Sequence, residues 1–160
     1  EELSAQVIPG TDREKLKQLL AELRRGEVRV EGSGWSIQGG RPVYTMEGRV
    51  LFPSGSAALT DAGKKLVRQV VPKLKEMATR IQVRGHTDRD PIRKSQWQDN
   101  MHLSLARAHA VWQLLAKAGY SREKMEVAGF GPYQPVAEGN TEEDKQRNRR
   151  VEILLVKVRE

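Results

Sequence analysis

The stretch IQVRGHTDRDPIRKSQWQDNMHLSLARAHAVWQLLAKAG, residues 81–119, decides the architecture of this chain. Its first five residues, Ile81 to Gly85, alternate apolar and polar side chains and end on glycine, the pattern of a short β-strand. A polar loop follows as far as Asn100. From about Met101 to Ala118 the apolar positions Leu103, Ala106, Ala110, Val111, Leu114 and Leu115 recur at helical spacing, with Arg107 at the edge of that stripe. Met125 to Ala128 then reads as a second strand. Strand, helix and strand in that order are the unit of an α/β sheet with a covering helix.

Working outward, Leu66, Val67, Val70, Val71, Leu74 and Met77 keep a 3.6-residue period behind Thr60, which predicts a capped helix bent by Pro72. Val151 to Val158 predicts a closing strand, reached through a polar stretch rich in Gly, Pro and Glu. Residues 27–52 alternate and turn: Val28 and Val30, Trp35 and Ile37, Gly39-Gly40, then Val43 to Phe52, which reads as hairpin-like β structure. Thr11 to Gly26 carries Leu16, Leu19, Leu20 and Leu23 on one face and ends in Arg-Arg-Gly, an amphipathic helix. Its leucine stripe can pack on its own domain, pair with a second copy, or continue a linker.

At 160 residues, 38% hydrophobic and 31% charged, the chain can bury one core. No stretch approaches the roughly 20 apolar residues of a membrane-spanning helix. The opening Glu1-Glu2-Leu3 lacks methionine and a signal pattern, and is read as a processed or excised fragment whose anchor lies upstream. Absence of cysteine excludes disulfides, thiolate metal sites and cysteine nucleophiles. The net charge of +7 would attract any polyanion and does not choose among them.

Two charged residues carry the chemistry. A guanidinium beside an apolar helix face, as at Arg107, needs acceptors, because an unpaired buried charge is costly. Asp88 stands just past the carboxyl end of the strand at 81–85, where α/β sheets place binding residues. These residues by themselves leave the pair divided between a structural salt bridge and a binding site.

Five motifs occur in a fixed order: Leu51-Phe52-Pro53-Ser54-Gly55-Ser56-Ala57, Val83-Arg84-Gly85-His86-Thr87-Asp88, Leu103-Ser104-Leu105-Ala106-Arg107-Ala108, Gly129-Phe130-Gly131 with Pro135, and Asn148-Arg149-Arg150-Val151-Glu152-Ile153. Across residues 49–158 this order resembles the OmpA/MotB-type peptidoglycan-binding domains. The resemblance implies a non-covalent site for the diaminopimelate of a peptidoglycan stem peptide, whose free end carries an ammonium and a carboxylate on one carbon. It assigns Asp88 to the ammonium and Arg107 to the carboxylate. Bidentate pairing suits arginine to a carboxylate, and an acceptor-only aspartate suits a three-donor ammonium. Asn100, Thr87 and one or both of Arg149 and Arg150 are the further contacts it implies. The loop from Arg89 to Asp99, with Asp90-Pro91-Ile92 and Trp97, resembles motor stators and related inner-membrane proteins. Pro53 stands where many members carry an acidic residue, and supplies neither that side chain nor a backbone donor.

The expected fold is an α/β sandwich of βαβαβ(α)β order, a mixed sheet covered by helices, with an N-terminal linker and helix over 1–26 and the OmpA-like domain over 27–160. The expected function is non-enzymatic anchoring of a membrane-attached complex, such as a flagellar-motor-type stator, to the cell wall from the periplasm. The anchor is expected in the inner membrane; packing of the leucine stripe on its own domain is the default, and a homodimer is a separate hypothesis that the stripe and the stator-like loop motivate. An outer-membrane protein or lipoprotein, or a secretion or defence apparatus, is the alternative setting. Neither cofactor nor metal is expected: His102 and His109 lie two helical turns apart, with no carboxylate fixed to complete a site with His86. His86 is expected to orient the Asp88 loop through the backbone. A wall hydrolase would need paired carboxylates, a metal or an activated nucleophile, and Ser104 has no base beside it. Nucleic acid is disfavoured, because the basic clusters are scattered and no aromatic stacking array accompanies them.

Overall fold

A computed structural model describes residues 11–27, 30–92 and 95–159. A five-stranded sheet of order β1-β2-β5-β3-β4 forms the centre, from β1 (Gly34–Gln38), β2 (Arg41–Glu47), β3 (Ala78–His86), β4 (Met125–Gly129) and β5 (Arg150–Val158). Only β3 and β4 run parallel, joined by helix α4 (Asn100–Lys117), while every other pairing is antiparallel. Helices α1 (Thr11–Arg24), α3 (Asp61–Met77) and α4 pack on the sheet. The sheet is mixed and helix-covered, as the strand and helix periods predict.

The core faces of the strands are their odd or even positions taken together, as the two-residue period requires. Tyr44 and Met46 of β2, Ile81 and Val83 of β3, and Val151, Ile153 and Leu155 of β5 meet the stripe Leu66, Val67, Val70, Val71 and Leu74 of α3. Thr60 caps α3, its Oγ1 accepting from the Gly63 amide at 2.8 Å, and the helix continues through Pro72. Strand β3 begins three residues earlier than the alternation at 81–85 indicates, because Ala78 to Arg80 pair with the end of β5 across an irregular register.

The hairpin at residues 34–47 joins the same sheet, since β2 pairs with β5. Its turn is Gly39-Gly40, with φ of 58° and 81°; two successive positive φ values are what a tight I′ hairpin demands. The expected strand run through Phe52 is corrected here: Gly48–Leu51 forms a helical turn, α2. The Gly48 amide donates to the Arg149 carbonyl at 2.7 Å, and a Cβ at Gly48 would lie 3.0 Å from that oxygen, so the chain passes close to the start of β5 at a residue without a side chain. Val28 lies outside the described residues. Helix α1 packs within the chain, with Leu23 buried in the core and Leu19 and Leu20 against it. The Glu22 carbonyl accepts from Lys73 Nζ at 3.0 Å and Arg24 donates to the Trp35 carbonyl at 2.9 Å. The polar stretch before β5 contains a short helix, α5 (Glu142–Asn148), opened by a reciprocal Thr141–Asp144 capping box.

Two glycines bring α4 down onto the sheet. A Cβ on Gly85 would lie 2.0 Å from the Ser104 carbonyl oxygen, and one on Gly129 would lie 2.7 Å from the Leu105 amide nitrogen. Ser104 completes the contact, donating to the Met101 carbonyl at 2.9 Å and accepting from the Gly131 amide at 3.0 Å. The first turns of α4 are thereby seated above the carboxyl ends of β3 and β4, the place where the binding residues are expected.

Candidate functional site

Beyond the end of β3 lies a cleft of about 580 Å³. Asp88, Thr87, Asn100, Arg107 and Arg149 all line it, so the structure assembles five of the six residues the sequence nominates. Arg150 is the exception. As neighbours on an extended chain, Arg149 and Arg150 point opposite ways, and Arg150 turns inward, 4% exposed, with Nε donating to Glu152 Oε2 at 2.8 Å. Its remaining donors reach the carbonyls of Asn148 and Gln134, both at 3.0 Å.

Asp88 is 8% exposed and held by the loop it opens. Its Oδ1 accepts from the Asp90 amide at 3.0 Å. Thr87 supports that loop rather than presenting its hydroxyl, donating from Oγ1 to the Asp88 carbonyl at 2.8 Å, while its amide donates to Gly131. Asn100, at the start of α4, donates from Nδ2 to the Asp90 carbonyl at 3.0 Å and more distantly to that of Asp88. Both residues therefore shape the backbone around the carboxylate.

The ion pair of Asp88 is with Arg149, not Arg107. Arg149 Nη1 lies 2.5 Å from Asp88 Oδ2, and Arg149 Nη2 lies 2.6 Å from Glu142 Oε2 on α5. The structural salt bridge between Asp88 and Arg107, one of the two readings the sequence leaves open, is not formed; Arg149 takes that place at Asp88. Burial works against the Arg149 cation, but its bonds to Glu142 and Asp88 outweigh it and raise its pKa.

Arg107 sits within the buried face of α4, between Leu103 and Val111, rather than at the edge of the stripe, and is 6% exposed. Its Nε donates to the Ser56 carbonyl at 2.8 Å and its Nη2 to the Pro53 carbonyl at 3.3 Å. The guanidinium lies over the Phe52 ring, 4.9 Å from the centroid. Pro53 contributes a backbone acceptor despite lacking a donor. Among the described residues no carboxylate pairs with Arg107, and no hydrogen bond uses its Nη1. Burial and the nearby Arg149 push its pKa down to about 10, against the pull of Asp88, so it remains a cation at neutral pH. The site is thus a carboxylate with accepting capacity left, beside a buried guanidinium with donors left and only neutral partners.

Sequence reading missed the walls. Phe52, Pro53, Ile92, Trp97 and Leu103 make the cleft partly apolar, and Trp97 Nε1 donates to the Gly55 carbonyl at 2.8 Å, tying the 89–99 loop to the 53–56 loop. An aromatic residue in an otherwise polar loop was the available signal. His86 differs from expectation as well: it meets a side chain, Glu152, with Nε2 3.0 Å from Oε1, and stacks on Phe130 at 5.3 Å.

The fold and sequence have known counterparts. The chain is 33% identical over 116 residues to "Motility protein B" of Bacillus subtilis, an alignment covering 71% of this chain and 44% of that protein. It is 36% identical over 131 residues to "Probable lipoprotein YiaD" of Escherichia coli, covering 79% and 58%. It therefore spans about half the length of these curated relatives. The solved structure of the cell wall anchor of the T6SS from Pseudomonas aeruginosa superposes with a TM-score of 0.76 at 31% identity, covering 86% of this chain and 96% of that one. The OmpA family model matches residues 51–149, from the helical turn ahead of the cleft to the arginine that closes it, and the chain belongs to the OmpA family.

Proposed function

We propose that this domain binds peptidoglycan non-covalently by gripping the zwitterionic end of a stem-peptide diaminopimelate. Asp88 accepts from the ammonium and Arg107 donates two parallel bonds to the carboxylate. The observation that carries this reading is the state of Arg107: a buried cation whose partners are all neutral carbonyls and a ring. Leaving a buried charge without a counter-charge is expensive, and an incoming carboxylate supplies what the chain withholds. The ammonium reaches Asp88 by sharing its carboxylate with Arg149, which keeps Glu142 as a second partner. No proton or bond needs to move, so the reading is of a binding module.

The whole-protein role is part of the same proposal and is supported by the relatives. Likeness to a motility protein and to a cell wall anchor supports attachment of a membrane-bound machine, of stator or secretion type, to the wall from the periplasm. Co-sedimentation with purified peptidoglycan tests it. Wild-type protein is expected in the pellet, and Asp88→Ala and Arg107→Ala in the supernatant, with circular dichroism showing both variants folded. Undiminished sedimentation of either folded variant removes the site from consideration.

A further inference from the structure

Trp97 takes no part in the zwitterion clamp, yet it lines the same cleft. The carbonyls of three residues in the 53–56 segment are held from two sides. Arg107 takes Pro53 and Ser56, and the Trp97 indole N–H takes Gly55 between them. The indole is therefore placed within a residue of the shelf that orients Arg107. Its ring meets His102 edge-on, with centroids 5.1 Å apart and planes at 86°, which fixes the ring's attitude from the α4 side. With its one polar atom bonded to backbone, the rest of the indole is apolar. Ile92 lines the cleft from the same loop and Leu103 from α4. The cleft therefore has a charged end at Asp88 and Arg107 and an apolar wall next to it.

A ligand that offered only an ammonium and a carboxylate on one carbon would leave that wall wet. An aliphatic arm extending from that carbon would cover it. We propose that Trp97 is a specificity-determining residue whose indole packs against the methylene arm of the bound zwitterion, so that the cleft selects long-armed amino-acid ends over short ones. This rests on the clamp reading of the same site and adds the part of the ligand that the clamp does not read.

The test compares two probes, meso-diaminopimelate and alanine, titrated by NMR into the chain and two variants. Both probes carry the zwitterion, and only the first carries a three-methylene arm. Wild-type protein is expected to prefer diaminopimelate. Trp97→Ala is expected to weaken diaminopimelate by about tenfold, the effect of exposing one or two methylenes, while leaving alanine within about twofold. Trp97→Phe keeps an apolar ring and loses the N–H to Gly55, so it is expected to preserve most of the preference, even if both probes weaken together. Equal weakening of both probes by Trp97→Ala would make the residue a support for Arg107 only and overturn the arm contact. Unchanged diaminopimelate binding in that variant would overturn it too. Failure of wild-type protein to bind either probe would instead strike at the clamp itself, and the arm contact would fall with it.

Discussion

Two charged clusters sit at the same end of β3 and β5, the second joined by Arg107 from α4, and they are built on opposite principles. His86, Arg150 and Glu152 form one, and each is no more than 4% exposed. Asp88, Arg107 and Arg149 form the other, at the mouth of the cleft. In the first, Glu152 is held by His86 on one oxygen and by Arg150 on the other, and Arg150 has acceptors on all three of its nitrogens. Burial alone would raise Glu152, but His86 and Arg150 prevail and hold it at about 2, so the pair is a closed ionic unit. In the second, Asp88 is paired but Arg107 is left over. The first cluster pairs its carboxylate with its guanidinium, although His86 Nδ1 is buried without a partner among the described residues; the second leaves a buried cation without a counter-charge, which is what the proposed ligand would supply.

The sharpest separation comes from truncating one arginine in each cluster. Arg150→Ala takes the counter-charge from the buried Glu152 carboxylate, leaving it only His86, and is expected to destabilise the fold by about 3–5 kcal/mol in denaturant unfolding, while whatever remains folded still sediments with peptidoglycan. Retention of near-native stability would erase the distinction between the clusters. Asp88→Asn acts in reverse. It should weaken wall binding by more than about tenfold and lower stability by only about 1 kcal/mol, because Arg149 keeps Glu142.

Acid should separate the clusters as well. Burial lowers the pKa of His86 below its ordinary 6.5, with the nearby Arg150 adding to this and Glu152 opposing. The unfolded chain therefore takes up a proton near pH 6.5 that the folded chain resists, and stability falls as pH drops below that value. Glu152, ordinarily near 4.5 and about 2 when folded, contributes stability that is complete above 4.5 and lost as pH falls towards 2. Melting curves across pH are expected to show both declines, and His86→Leu to lack the first. The smallest effect belongs to the rim. Arg89 and Glu138 meet at 3.3 Å with both side chains well exposed, so Glu138→Ala should move the melting temperature by no more than about 2 °C.

Much of this was legible in the sequence, for identifiable reasons. Helical period places α3 and α4, with Thr60 capping the first, and the alternation at 81–85 places the greater part of β3, because those elements bury one face against a single core. The ordered motifs around Asp88 and Arg107 single the two out as candidates, and the structure places both in one cleft. Other features depend on long-range geometry. Which of Arg149 and Arg150 enters the cleft is set by how α5 delivers the chain into β5, and a shift of one residue would exchange them. That Arg149 pairs with Asp88 depends on residues 61 positions apart in the chain meeting. At the helical turn Gly48–Leu51 the Gly48 amide donates to the Arg149 carbonyl, a contact between residues far apart in the chain that no local pattern records.

The central claim is that Arg107 is left without a counter-charge in order to receive one. Calorimetric titration of meso-diaminopimelate into wild-type protein and Arg107→Met tests it most directly, since methionine fills much of the same buried space without the charge. The account predicts saturable binding to wild type and an affinity lower by about tenfold to hundredfold in the variant, the worth of a charge-assisted pair, with unfolding free energy within about 1 kcal/mol of wild type. Equal affinity in the two proteins would contradict it.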